Sequence, residues 1–467
     1  YFLTLIQLWV GFLSICASYP KANIWIIPSV ESPQVYRNYA QTSKVHLEMA
    51  RGEVEHIQLV FPSKVNEEYR FTFDRYLKGI QISARELKKM NGYYDALVPF
   101  KNQLKCTDTL TAVWITVQCP SRVPVGKYHQ TIKIEGSKHF TIQLDYNVHH
   151  TTIPLKSSIP ITVGVENRCM TEGLNDKEAD KERQRWVDFV LSYRMTPVFG
   201  TQITPERWQY EHSFSPWAWN DKRSIRLLND RRYSCYMLPF FTLSENELAS
   251  LLCNIQKKGK LKESLFYIWD EPAYMEDYEQ IKRKVNIIRK YASDARILTT
   301  FFCGPRNGPR KGDLYAVFDY LKHHIHVATI SLAPCKGNEE EVQHIRYKVP
   351  EGIDWWSYVC WQPGGNEPNF LLQMKGIQQR AVMWRTWKNG SQGFLYWNCN
   401  IYHKRNPFTY ITDMPHGDGI LIYPGDILGC KGPIASARLE RWRDGAEEME
   451  LLRLVEKNYS KEKADTL

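Results

Sequence analysis

Two carboxylates, Asp270 and Glu271, stand side by side at the end of the apolar run Leu265-Phe266-Tyr267-Ile268-Trp269 and just before Pro272. A run of this kind that stops at charged residues reads as a buried strand whose C-terminal end opens into a site. Neighbouring acids at such a mouth suit general acid–base work. The competing role is structural, since either acid could cap the following helix with Pro272 at an early helical position. Strand alternation sets Tyr267, Trp269 and Glu271 on one face and Ile268 and Asp270 on the other. For both acids to reach one pocket the strand must end, twist or bulge at Asp270, with Pro272 holding Glu271 extended.

The elements around the pair alternate between strand and helix. Strands are expected at 161–165, 196–200, 235–241, 265–269, 296–301, 326–332, 355–361 and 393–398, with amphipathic helices such as 177–193, 244–258, 275–292 and 369–388 between them. Eight strands interleaved with helices is the arithmetic of a (β/α)8, TIM-like barrel, in which strand C-terminal ends gather the site; a doubly wound open sheet is the alternative. Residues 22–148 instead alternate with period two between Gly, Pro and Asn turns, as in Val54-Glu55-His56-Ile57-Gln58-Leu59-Val60-Phe61, and predict an antiparallel β-sandwich. The polar, proline-bearing stretch 151–160 marks the boundary, giving a sandwich over 18–155 and a barrel over 156–467. A helix over 436–458 carries Arg438, Glu440, Arg443, Asp444, Glu447 and Glu450 at offsets that allow ion pairs along its surface, and is expected to close the barrel.

Composition narrows the class. At 467 residues with 43% hydrophobic content, the chain has enough apolar material for two or three cores. Its 15 Trp and 27 Tyr suit either core filling or sugar platforms. The net charge of +10 is moderate for the length, and no nucleic-acid module is present. Residues 1–17 are apolar and uncharged, with Ile15-Cys16-Ala17 as a cleavage site, so a secretory signal and a secreted or extracytoplasmic protein (lysosomal or cell-surface included) without a stable membrane span in the mature chain are expected. The 11 Cys include no C-x-x-C, and Cys106 and Cys119 are the first pair to test for a disulfide. Asn389-Gly390-Ser391 and Asn458-Tyr459-Ser460 fit the N-glycosylation pattern. His323-His324-Ile325-His326 has no acidic or cysteine companions and reads as surface, so neither a metal nor a cofactor is expected.

Several motifs together resemble glycoside hydrolase family 123: Tyr267-Ile268-Trp269-Asp270-Glu271-Pro272, Gly393-Phe394-Leu395-Tyr396-Trp397, Gly417-Asp418-Gly419-x-Leu421-x-Tyr423-Pro424-Gly425, Ser436-x-Arg438-Leu439-Glu440-x-x-Arg443-Asp444-Gly445-x-Glu447 and, in the first domain, 50–60. The resemblance implies a β-sandwich followed by a (β/α)8 barrel, and a retaining, exo-acting β-N-acetylgalactosaminidase that releases terminal β-linked GalNAc from glycans or glycolipids. It also implies that an adjacent Asp-Glu pair, here Asp270 and Glu271, assists attack by the sugar's own 2-acetamido oxygen.

In that scheme Asp270, ionised, accepts the acetamido N–H and stabilises the positive charge of the oxazolinium-like intermediate. Glu271, its pKa raised by apolar surroundings such as Trp269, protonates the leaving oxygen and then activates water. The pocket walls are expected from Tyr236, Trp269, Tyr358, Trp361, Trp397 and Asn398. Two alternatives remain open: a two-carboxylate glycosidase on another sugar using Glu166, and a carbohydrate-binding protein without catalysis.

Overall fold

The computed structural model describes residues 24–74, 79–204, 209–333, 339–402, 406–407 and 416–466; the expected signal segment lies outside them. The fold is mixed α/β and divides into two compact units. One takes in the chain up to Leu155 together with Leu372–Trp384 and Leu428 onward, and the other takes in Lys156–Leu371 and Arg385–Ile427.

The first unit holds two five-stranded sheets built from β1 (Trp25–Pro28), β2 (Lys44–Arg51), β3 (Val54–Pro62), β4 (Glu68–Phe73), β5 (Gln81–Met90), β6 (Tyr93–Pro99), β7 (Gln103–Lys105), β8 (Leu110–Gln118), β9 (Gly126–Glu135) and β10 (His139–Thr152). Their orders are β1-β3-β8-β5-β6 and β2-β10-β9-β4-β7. β9 and β10 bury every second side chain, as their period-two sequences require, and residues of both sheets merge into one apolar cluster. Pairing is antiparallel except between β2 and β10, which run parallel, so the expectation of an antiparallel arrangement throughout is corrected there. Cys106 and Cys119 are separate free thiols in that cluster, not a disulfide. Of the two glycosylation sequons, Asn389 is buried and Asn458 is exposed.

The helix Ala437–Asn458 groups with this unit rather than with the second. Its charged side chains, expected along a solvated face, are buried: Arg438, Glu440, Arg443, Asp444, Glu447 and Glu450 all lie inside. They find partners on the sheets. Arg438 Nη2 meets Asp95 Oδ2 at 2.9 Å, His56 Nε2 lies 3.1 Å from Glu440 Oε2 and 3.3 Å from Asp444 Oδ1, and Val54 N donates to Glu447 Oε2 at 2.9 Å. Two motifs nearly 400 residues apart in the chain, around His56 and around Asp444, are thus halves of one ion network. Gly445 lets it form, because a Cβ there would lie 2.2 Å from the carbonyl oxygen of Arg380.

The second unit is organised on nine strands: β11 (Ile161–Glu166), β12 (Thr196–Thr204), β13 (Gln209–Ser213), β14 (Tyr236–Met237), β15 (Ser264–Trp269), β16 (Ile297–Phe301), β17 (Val327–Ser331), β18 (Asp354–Val359) and β19 (Phe394–Tyr396). Each of the eight expected segments carries one of them. Their order is β13-β12-β11-β19-β18-β17-β16-β15-β14, with every neighbouring pair parallel except β12 and β13. The sheet nearly closes on itself, since Phe214 N, just beyond β13, donates to Met237 O of β14 at 2.7 Å. Inward-facing Val198, Leu265, Tyr267, Leu298, Val327, Trp356, Tyr358 and Leu395 pack into one cluster, with Trp397 against it. β13 has no counterpart among the expected strands.

Candidate active site

β15 stops at Trp269, and its pairing with β16 slips register between Tyr267 and Trp269. Glu271 then takes a φ of 45°, in the left-handed region. Slip and turn together undo the alternation that would send the two acids to opposite faces. The irregularity predicted at Asp270 is present, but Glu271 is not extended. Pro272 bars the right-handed helical conformation before it, and the Glu271 N–H, bonded to Thr300 Oγ1 at 2.9 Å, holds the left-handed one.

Neither acid caps the next helix, Met275–Arg289. The N–H groups of Ala273 and Tyr274 both go to Asp277 Oδ2 at 2.9 Å, and that of Met275 goes to Asn307 Oδ1 at 2.8 Å. The pair is therefore left for chemistry. Asp270 Oδ1 accepts from Tyr267 Oη and from Thr300 Oγ1, each at 2.7 Å, while Oδ2 has no hydrogen-bond partner among the described residues. Tyr358 Oη donates to Glu271 Oε1, which leaves Oε2 for a proton. Burial, and next the charge of Asp270, push the Glu271 carboxyl up to about 7; the Tyr358 hydrogen bond and the Arg306 charge act against that rise.

A cleft opens beside Asp270, walled by Tyr267, Tyr210, His212, Trp397 and Asn398 and floored by Gly164 and Gly200. Trp397 is held by its Nε1–H, which donates to Asp418 Oδ1 at 3.0 Å. Two glycines make room for this residue: a Cβ on Gly164 would lie 1.9 Å from its backbone carbonyl oxygen, and one on Gly419 would lie 2.5 Å from its indole.

The expected wall residues fare differently. Tyr358 touches Glu271, and Trp397 and Asn398 line the cleft. Tyr236 does not: it is buried, stacked on Tyr233 with centroids 5.2 Å apart, and its hydroxyl is spent on Leu228 O. The register slip turns Trp269 from the cleft, with Lys284 of the helix Met275–Arg289 over its ring at 5.9 Å, so burial and Asp270 raise the Glu271 pKa in the part expected of the indole. Trp361 is half exposed and stacks on Phe302 at 6.2 Å, clear of the cleft lining. Glu166 is buried as the cap of a short helix, its Oε1 accepting from Arg168 N at 3.2 Å, and it does not line the cleft. Sequence reasoning missed Tyr267, Thr300 and His212. The alternation Tyr210-Glu211-His212-Ser213 is a signal for the last, too short to stand out as a strand. Among the described residues no group of three or more His, Cys, Asp or Glu is placed to hold a metal ion.

Residues 181–455, well over half of the chain, match the family described as glycoside hydrolase 123, catalytic domain. The chain belongs to glycoside hydrolase family 123. It is a glycoside hydrolase. Its fold is similar to that of a family 123 glycoside hydrolase from Clostridium perfringens, studied for glycolipid glycan hydrolysis, with a TM-score of 0.68 at 14% identity over 95% of this chain and 90% of that one. A family 2 β-galacturonidase from Eisenbergiella tayi aligns over 94% of this chain and 95% of its own at 8% identity, with a TM-score of only 0.39. No curated protein matches. Among the described residues no helix is long and apolar enough to cross a membrane.

Proposed function

We propose that this family 123 enzyme is a secreted, retaining, exo-acting β-N-acetylgalactosaminidase that works by substrate-assisted catalysis. The observation that carries the reading is the adjacent pair itself: two neighbouring carboxylates brought to one strand end, with one oxygen of each left without a hydrogen-bond partner among the described residues. Asp270 Oδ2 is free to accept the acetamido N–H, while the hydroxyls of Tyr267 and Thr300 fix the other oxygen and so aim the group. As the acetamido oxygen attacks the anomeric carbon, the glycosidic bond breaks and the proton on Glu271 passes to the leaving oxygen. Water then attacks the same carbon as the bond from that carbon to the acetamido oxygen breaks and the acetamide re-forms; the water gives a proton to the Glu271 carboxylate, and two inversions leave the configuration retained.

A retaining two-carboxylate mechanism needs a second acid about 5–5.5 Å from the first across the scissile bond. Glu166, the candidate for that part, is occupied as a helix cap. We also infer that the nine-stranded sheet is a (β/α)8 barrel with β13 inserted between the second and third parallel strands, and that the two five-stranded sheets form a β-sandwich. Eight parallel strands in chain order, and one apolar cluster shared by two sheets, support this. The relative from Clostridium perfringens, studied for glycolipid glycan hydrolysis, supports a glycan or glycolipid as substrate; the terminal β-GalNAc is what the family resemblance implies. The aromatic wall of Tyr267, Tyr210 and Trp397 suits one face of a sugar ring.

Aryl glycosides test the proposal. Release from β-GalNAc and none from β-galactose is expected, with Asp270→Asn and Glu271→Gln each lowering kcat/KM by orders of magnitude on the order of 10²–10⁴. Strong activity in Asp270→Asn, or cleavage of the galactoside alone, contradicts it.

A further inference from the structure

β13 reaches the cleft by strand alternation. Glu211 points away and is locked there, its carboxylate accepting from Phe240 N at 2.8 Å, Thr242 N at 2.7 Å and Thr242 Oγ1 at 2.8 Å. Tyr210 and His212, on the opposite face, line the cleft. The His212 ring lies flat on Tyr267, with centroids 4.2 Å apart and planes 9° from parallel, and Tyr267 is the residue whose hydroxyl holds Asp270. Neither imidazole nitrogen of His212 has a hydrogen-bond partner among the described residues. Burial pushes its pKa down to about 3, so above that pH the ring is neutral and offers one N–H donor and one lone pair. A polar ring fixed in a cleft wall with no partner among the described residues is placed to bond what enters the cleft.

We infer that His212 is a specificity-determining residue that hydrogen-bonds the C3 hydroxyl of the N-acetylhexosamine seated at Asp270. The inference rests on the hexosaminidase reading above, which places the acetamido group at C2 on Asp270 and the glycosidic oxygen at C1 beside Glu271. The cleft that holds His212 includes Asp270 but not Glu271, so it runs to the side of C2 away from C1. The next ring carbon on that side is C3. Within this scheme β13, the strand that interrupts the parallel order, serves as the arm that reads the sugar.

His212→Phe keeps a flat ring on Tyr267 and removes both nitrogens. It is assayed against wild type on 4-nitrophenyl β-GalNAc and on the 3-deoxy and 4-deoxy analogues, with the melting temperature of each protein recorded. Wild type is expected to lose about tenfold in kcat/KM on removal of the 3-hydroxyl. His212→Phe is expected to lose about tenfold on the parent, nothing further on the 3-deoxy sugar, and as much as wild type on the 4-deoxy sugar. Activity on the parent with equal 3-deoxy discrimination in the two proteins overturns the assignment alone. A wild-type enzyme silent on the parent overturns the hexosaminidase reading and this assignment with it. Should His212→Phe fail to fold, undiminished wild-type turnover of the 3-deoxy sugar overturns the assignment by itself.

Discussion

Tyr358 sets how tightly the acid holds its proton. Its hydroxyl donates to Glu271 and favours the charged carboxylate, against the upward push of burial and of Asp270. In the proposed mechanism Glu271 must be protonated to act on the leaving oxygen, so kcat/KM is expected to fall as pH rises through about 7. In Tyr358→Phe that donor is gone and the carboxyl rises further, which moves the falling limb to higher pH. A pH–rate profile of the two proteins checks this, and an unmoved or downward-shifted limb contradicts it. At this scale the sequence was half legible. Asp270 and Glu271 could be found because two charges interrupt an apolar run. Trp269 could not be placed, because a one-residue register slip reverses the face of a strand and leaves no mark in composition.

The helix Ala437–Asn458 shows what a periodic reading loses at the scale of an element. Charges at offsets of three and four fit a solvated face, yet here they fit equally well a buried helix whose partners lie on β3 and β6, far off in the chain. Arg438→Ala removes this buried ion pair with Asp95, and a loss of about 3–5 kcal/mol in urea unfolding is expected. Glu53, at the start of β3, adds a pH dependence. Burial first, then the charge of Glu447, push its carboxyl up to about 8, against the Ala50 N–H and the charge of Arg380. A carboxyl whose pKa is raised on folding favours the folded state at low pH. That contribution is full below the unfolded value near 4.5 and is lost as pH rises towards 8. Glu53→Gln should therefore gain melting temperature on wild type between pH 5 and pH 9. A difference that stays constant or shrinks over that range contradicts the account.

Across the whole molecule, the order of elements was legible and their grouping was not. Eight strand segments could be read because each is a short apolar run and a helical period follows most of them. β13 escaped because five residues, three on one face and two on the other, carry too little pattern, and it proves to bear a wall of the cleft. The chain also returns to its first unit at Leu372–Trp384 and again from Leu428, a connection that no local signal announces. What local sequence does hold is the pair at the strand end, on which the chemical claim stands.

That claim is that the sugar supplies its own nucleophile. The direct measurement is kcat/KM for aryl β-GalNAc substrates whose acetyl group carries zero, one, two or three fluorines. Fluorine withdraws electrons from the acetamido oxygen while the leaving group stays the same, so a steep fall with each added fluorine is expected. A flat series contradicts it and calls for a nucleophile from the protein.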